Sequence, residues 1–520
     1  MASVAPDASA AGRDSPSVTQ LATDSLAVGI AFFAILSVLQ RLVGFGRSLV
    51  FCHLMSDEEL GRWSLSFSFL MMAAPFAVLG LPGSFGRYFE HYRMRGQARR
   101  FLRRILWPTA LLAVTFATIV LTAPATVSLL LLGTTEHAAL IRGLSIALVL
   151  VVALNVTTEL AIAMRQVRLV SIVQFIHSIL FAIFACGLLA TTSLADQGVI
   201  VGYSLSGLIA LGLATWLLVG KVKSLAPDRE RFDSELIDSQ SSERSFWLRL
   251  LPFAAWLWVS NTLFNLFDTA DRLMIVHFAR GYVSTDALVG QYHSSRVVPT
   301  LLVAVSGLLA GVILPYLSEY WERGDRAKAS RTTLLTLKVC TLMYVFGAAI
   351  VLMLAPLFFG TLLQGRYDAG LQILPGTLVY CIWFGLTILA ESHLLCAEQA
   401  RSVSLALILG LVVNIVLNAI LLPRLGLVGA VTATAIANAV ALCVTLRLAK
   451  SWGLQLDRQT VALTALPIVL LLGSQWTLAT LLVIALLVVR YGMIFDAAER
   501  GILLAAWNRL GHCVPRPRWS

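Results

Sequence analysis

The sequence predicts an all-α polytopic membrane protein with about 14 transmembrane helices: two parallel six-helix repeats forming a two-lobed bundle, plus a C-terminal helix pair. Three observations predict it. The 520 residues are 58% hydrophobic and 13% charged, with a mean hydropathy of +0.83, whereas soluble domains carry about 25% charged residues. Apolar runs of about 20 residues, long enough to cross a hydrocarbon core as helices, recur between residues 25 and 495. The chain also repeats itself across a polar stretch near its middle.

Residues 1–24, opening MASVAPDASAAGRDSPSVTQ, are polar and lack the charged start and cleavage site of a signal peptide, so they read as a disordered cytoplasmic tail. Six spans are expected near 25–54, 63–86, 105–124, 138–161, 169–191 and 199–220, making an N-terminal lobe over 25–220. The linker 221–249, with KVKSLAPDRERFDSELIDSQSSERSFW, mixes both charges with few apolar residues and reads as solvated. Six more spans near 250–279, 287–317, 334–356, 371–396, 402–422 and 427–446 make a C-terminal lobe over 250–450. Within 451–495 a last pair, 460–474 and 476–495, is split only by GSQW, and 496–520 is a basic tail expected in the cytoplasm.

Charge orients these spans. Most of the 39 Lys and Arg fall in alternate loops, as in the arginine-rich stretch 87–104. Because basic residues collect on the cytoplasmic side, both termini are expected there. The net charge of +11 is thus a topology signal. No basic stripe interleaved with aromatics lies on a polar domain, so nucleic acid is not an expected partner. The seven cysteines sit mostly in apolar runs without a CxxC pair and read as buried small apolar groups.

Four segment pairs match across the linker. EHYRMRG (90–96) and SEYWERG (318–324) set Gly96 on Gly324, and LLLLGTTEHAALI (129–141) with GTLLQGRYDAGLQI (360–373) sets Gly133 on Gly365. GVIVGYSLSGLIA (198–210) with GLVGAVTATAIANA (426–439) sets Gly202 on Gly429. FGRSLVFCHLMSDEELGRW (45–63) with ADRLMIVHFARGYVSTDALVGQY (270–292) sets Arg47 on Arg272 and Gly61 on Gly290. An even number of spans per half makes the repeats parallel, and a site between them is the expectation for such transporters.

The segments QRLVGFGRSLVFCHLMSDEELGRWSL (40–65), GVILPYLSEYWERGDRAKASR (311–331), GRYDAGLQILPGTLVY (365–380) and LGLVGAVTATAIANAV (425–440) carry a family likeness. The chain resembles the multidrug/oligosaccharidyl-lipid/polysaccharide exporter superfamily, and within it the polysaccharide biosynthesis proteins of the O-antigen translocase type, relatives of the lipid II flippases. The resemblance implies a flippase that moves polyprenyl-diphosphate-linked oligosaccharide across the bacterial inner membrane by alternating access, for surface polysaccharide biosynthesis. It implies no cofactor and no covalent chemistry; the partners it implies are membrane lipid, a glycan polymerase and glycosyltransferases. In lipid II flippases the first helix carries Arg-x-x-Gly-x-x-Arg followed by Asp; Arg41, Gly44 and Arg47 match, and Ser48 stands in place of the acid. Arg296, in YHSSRVVPTLL, matches a further cavity arginine of that subfamily.

Charges inside spans give the candidate site. An arginine at mid-membrane costs at least about 2.5–3.5 kcal/mol, so it persists beside a partner or a wet cavity. Arg41, Arg47 and Arg296 are the diphosphate-binding candidates, because guanidinium offers paired donors to phosphate oxygens. Arg41 and Arg47 lie about 240° apart on a helix, so a bend at Gly44 and Gly46 is expected to aim both one way. In FNLFDTADRLMI, Asp268 and Arg272 are i, i+4 and form, with Asp271, an expected ion pair at an outer gate. Glu391 and His393 are candidates for proton or ion coupling. Diverging by about 200° with no third ligand nearby, they do not read as a metal site. Asn414 and Asn418 are expected to hydrogen-bond between helices.

Three other functions are weighed: a lipid II flippase, a cation-coupled drug antiporter, and a membrane-embedded glycosyltransferase or polymerase. A drug antiporter calls for acidic groups in its cavity. An enzyme of the last kind calls for acidic groups on sizeable outer loops, and the outer loops here are short.

Overall fold

The computed structural model describes residues 26–223, 239–279, 284–491, 495–496 and 499–501. The expected N-terminal tail, the centre of the linker and most of the basic C-terminal tail lie outside them. The first half holds α1 (Leu26–Leu54), α2 (Asp57–Val78), α3 (Phe85–Met94), α4 (Ala98–Thr122), α5 (Pro124–Leu132), α6 (Ala138–Ala163), α7 (Val167–Thr191) and α8 (Ala195–Lys223). The second holds α9 (Ser239–Phe278), α10 (Thr285–Arg296), α11 (Pro299–Glu322), α12 (Arg326–Leu357), α13 (Asp368–Cys396) and α14 (Ala400–Ser451). After these come α15 (Arg458–Ala465) and α16 (Ser474–Tyr491). No strand occurs among the described residues.

Among the described residues, ten helices are long and apolar enough to cross a membrane, or eleven if α2 and α3, bent by 68°, count as one broken span. The expected count of 14 is not reached on that criterion, for two physical reasons. α14, with 52 residues, would run about 78 Å if straight, more than twice a hydrocarbon core. It is instead folded at Gly426 (φ 57°, ψ −138°), so that Gly410 on its first arm meets Ala437 and Ala441 on its second. The second reason is that the stretch after 457 forms only short apolar helices, Arg458–Leu472 and Ser474–Leu487.

Two boundaries differ from the sequence expectation. α2 begins at 57 rather than 63, because Ser56 and Glu59 form a reciprocal cap: the Ser56 hydroxyl accepts from the Glu59 amide at 3.2 Å, and a Glu59 carboxylate oxygen accepts from the Ser56 amide at 2.9 Å. α9 begins at Ser239 and α8 runs to Lys223, so both ends of the expected linker 221–249 are helical.

The internal repeat is visible in the backbone. Gly96 and Gly324 (φ 71° and 77°) close α3 and α11, and Gly133 and Gly365 (φ 72° and 67°) stand just ahead of α6 and α13. Each sequence-matched pair makes the same left-handed turn at the same place in its half, where a side chain would be strained.

α13 is the axis of the C-terminal lobe. In its most apolar stretch 72% of residues are buried, against 11% in α1 and α11. It packs against α10, α11, α12 and α14, while α6, α7 and α8 build the N-terminal lobe with α1 leaning on α7. α1 and α11 are therefore walls rather than core, which leaves polar groups on them free to face a cavity. Four of the six described cysteines, Cys52, Cys340, Cys381 and Cys396, are buried, and none is in a disulfide.

Candidate functional site

Both lobes meet at one end of the bundle where α2 crosses α10. Gly61 and Gly290, aligned in the sequence, lie at the crossing: the Asp286 carbonyl fills the place of a Gly61 Cβ, and the Asp57 carbonyl that of a Gly290 Cβ. This reciprocity is that of a pseudo-twofold axis, and polar contacts follow it. Arg62 lies 3.7 Å from Asp286 and donates to Asp196 at 3.0 Å. On the opposite side Gln291 donates to Asp57 at 3.4 Å and to the Arg366 carbonyl at 2.8 Å. Arg366 in turn donates to the carbonyls of His53 and Met55 on the α1–α2 turn.

Among the cavities between the helices, the two that hold arginines singled out from the sequence measure about 480 and 390 Å³, within the range of ligand pockets. The first lies mainly in the N-terminal lobe, lined by α1, α2, α6, α7 and α8 and by Leu308 of α11, and its polar groups include Arg41, Arg47, Gln40, Asn155, Thr158, Gln174 and His177. Among the described residues, no Asp or Glu lines it. The Arg47 guanidinium lies 4.1 Å from the centre of the Phe181 ring, a cation–π contact. Its Nε is buried with no hydrogen-bond partner among the described residues, as is His177 Nε2.

The second cavity is walled by α9, α10, α11, α13 and α14, and Arg41 reaches it as well. Here Asp268 holds two cations. Arg272 donates to it at 3.3 Å and Arg296 donates to its other oxygen. The Asp268 side chain is 45% exposed and each arginine only 10%, so the carboxylate is the most accessible group of the cluster, and it lines the cavity together with Arg296. Arg272 also donates to Ser68 of α2 at 2.6 Å, and His293 lies 3.0 Å from Ser64 of α2, tying the lobes together.

Asp271, one helical turn away, is buried and held differently. It accepts from the Tyr292 hydroxyl at 2.6 Å, from Asn414 at 2.9 Å and from Asn418 at 3.0 Å. Three neutral donors from α10 and α14 thus hold the carboxylate. The sequence marked Asn414 and Asn418 as helix-bridging but did not show that they converge on Asp271.

Of the sequence candidates, Arg41 and Arg47 reach one cavity and Arg41 and Arg296 the other. Asp268 and Asp271 line the second cavity, and Arg272, paired with Asp268, reaches Ser68 of α2. Glu391 and His393 line neither cavity. His393 is fully buried, edge-on to Trp321 with ring centres 5.7 Å apart, and Glu391 Oε1 is buried with no hydrogen-bond partner among the described residues. No cluster of three metal-ligating side chains occurs among the described residues. The residues of the crossing, Arg62, Asp286 and Gln291, were not singled out from sequence; the Gly61/Gly290 alignment was the available signal.

A family model described as polysaccharide biosynthesis protein matches residues 26–321. The chain belongs to the polysaccharide biosynthesis protein family. Solved structures extend that likeness over most of the fold. The lipid II flippase MurJ, in an inward closed conformation, shares 14% identity over 91% of this chain and 100% of that one, with a TM-score of 0.67. An inward-facing multidrug resistance MATE family transporter of the MOP superfamily shares 15% over 83% and 99%, with a TM-score of 0.63. A MOP superfamily transporter from Pyrococcus furiosus, described by a reversed polarity of its binding pocket, shares 15% over 84% and 96%, with a TM-score of 0.58. No curated protein sequence matches the chain. Its family and its ten or eleven apolar helices of membrane-crossing length among the described residues make this polysaccharide biosynthesis protein a multi-pass membrane protein, with the fold of these solved structures.

Proposed function

We propose that this polysaccharide biosynthesis protein is an inner-membrane flippase for polyprenyl-diphosphate-linked oligosaccharide, with both termini in the cytoplasm. The observation that carries the reading is the charge of the N-terminal-lobe cavity: Arg41 and Arg47 line it and, among the described residues, no acidic side chain does. Uncompensated arginines in a membrane cavity favour an anion and repel the cationic substrates of a drug antiporter. Guanidinium groups grip a diphosphate through paired, charge-assisted hydrogen bonds. Gln40, Asn155, Gln174 and Thr158 offer donors and acceptors to sugar hydroxyls, and Phe67, Phe181 and Tyr203 offer ring faces. The polyprenyl tail needs no polar site, since it stays in lipid.

Translocation in this reading is conformational. The α2–α10 crossing seals one end, taken as the outer one from the distribution of Lys and Arg. Parting the two helices there, while the lobes close at the other end, would carry the head group across without breaking a covalent bond. A glycan polymerase and glycosyltransferases are the expected partners on the two sides.

The experiment is rescue. The chain is expressed in cells lacking an O-antigen flippase and in cells depleted of a lipid II flippase. Restored surface glycan in the first, abolished by Arg41→Ala or Arg47→Ala, is the expected outcome. Rescue of growth in the second alone would move the substrate to lipid II. Rescue of neither, or full rescue by both variants, contradicts the reading.

A further inference from the structure

The two cavities differ in charge although the halves are repeats. Among the described residues Arg47 has no carboxylate beside it, whereas Arg272, which occupies the same place in the second half, and Arg296 both donate to Asp268. Asp271 does not serve these arginines; its oxygens are taken by Tyr292, Asn414 and Asn418. Asp268 is the more exposed member of its cluster and lines the cavity beside Arg296, whose guanidinium it already occupies. The Nε atoms of both Arg272 and Arg296 remain without hydrogen-bond partners among the described residues, so the arginines keep donors to spare.

We propose that Asp268 is an internal counter-anion: it occupies the Arg272–Arg296 pair in the ligand-free protein, and a phosphate of the substrate gains Arg296 only by displacing it. The inference rests on the diphosphate reading above and assigns an order to it. A diphosphate meets Arg41 and Arg47 first, where nothing competes. Arg41 walls both cavities, so a head group held there is next to the guarded arginine. When a phosphate takes Arg296, the Asp268 carboxylate keeps Arg272, so neither guanidinium is left as an unpaired buried cation. Asp268 thereby sets both affinity and selectivity, since an anion weaker than a carboxylate cannot take its place.

The test is binding of farnesyl diphosphate to the purified full chain in detergent micelles, by titration calorimetry. Asp268→Asn keeps the shape and one acceptor and removes the competing charge, so binding is expected to tighten about tenfold, the scale of one charge-assisted hydrogen bond. Arg296→Gln should weaken binding less than about threefold in the native background and about tenfold in the Asp268→Asn background, because only there is Arg296 free to the ligand. If Asp268→Asn shows no cooperative thermal transition, the pair Asp268→Asn with Arg272→Gln, which removes one charge of each sign, takes its place with the same expectations. Unchanged or weaker binding by the folded variant, or an equal Arg296→Gln effect in both backgrounds, overturns the counter-anion. That result is distinct from failure of the underlying reading, which would appear as no farnesyl diphosphate binding by the native chain, or as binding indifferent to Arg47→Gln, and which would remove the counter-anion with it.

Discussion

A single methyl group at Gly61 or Gly290 is expected to hold open the end of the bundle where α2 and α10 cross. A Cβ built at Gly61 would stand 2.7 Å from the carbonyl carbon of Asp286, and one at Gly290 2.7 Å from that of Asp57, with the carbonyl oxygens closer still. Non-bonded carbons pack at roughly 3.5–4.0 Å, so the helices must part by about 1 Å. The Gln291–Asp57 contact at 3.4 Å and the Arg62–Asp286 contact at 3.7 Å have no slack to absorb that. Overpacking of this kind costs about 1–3 kcal/mol. The cost falls only on the closed arrangement, so it shifts the closed–open balance by about 5- to 150-fold. The assay is pulsed electron–electron spin resonance with nitroxides at Glu58→Cys and Thr285→Cys, in lipid nanodiscs and a background free of other cysteines. The native chain should give a short-distance peak, and Gly61→Ala and Gly290→Ala should each lose it, to similar extents because their contacts are reciprocal. A distance distribution unmoved by either substitution would refute the crossing as the closing contact.

Three further outcomes follow from buried polar groups. Lys338 is 2% exposed and binds Asp457 at 2.8 Å and Glu499 at 3.0 Å; Lys338→Met leaves Glu499 buried and unpaired. That should cost about 3–5 kcal/mol, read as a lowered midpoint of thermal unfolding. Burial alone would raise the Asp457 carboxyl, but hydrogen bonds from Lys338 and Thr460 outweigh it and hold the group below the usual carboxylate range. Its contribution to stability is therefore complete above the unfolded value of about 3.9 and is lost as pH falls through the lower folded value. Thermal midpoints measured from pH 7 down to pH 3 should fall less for Asp457→Asn than for the native chain. Tyr292→Phe removes one of the three donors to Asp271 and should destabilise by about 1–3 kcal/mol, measured the same way; a loss within about 0.5 kcal/mol would mean that Asp271 is not held by that bond.

Helix positions were largely legible because hydropathy over a span is a local sum. The runs near 25–54, 138–161 and 371–396 correspond to α1, α6 and α13 within three residues. The repeat was legible for the same reason, since the glycines it aligned, Gly96 with Gly324 and Gly133 with Gly365, are fixed by local backbone geometry. The sharp start of α2 was written in Ser56 and Glu59 as a capping signature and could have been read. Partner choice was not legible. Asp268 and Arg272 were paired correctly as neighbours on one helix, but Arg296, 28 residues on, shares the same carboxylate. Ser68, which takes the other side of Arg272, comes from the opposite lobe. Whether an arginine in a span is free for a ligand depends on such distant partners. That is why Arg47 and Arg296 looked alike in sequence and differ in the fold.

The central claim, movement of a lipid-linked diphosphate sugar through an arginine-lined cavity, is tested most directly in proteoliposomes. Vesicles carrying the purified chain and a polyprenyl-diphosphate oligosaccharide are probed for the share of sugar reachable by an impermeant glycan-modifying enzyme outside. The account predicts that the native chain exposes the pool initially facing inward and that Arg47→Gln slows this at least about tenfold. Exposure no faster than in protein-free vesicles, or exposure unaffected by Arg47→Gln, would contradict it.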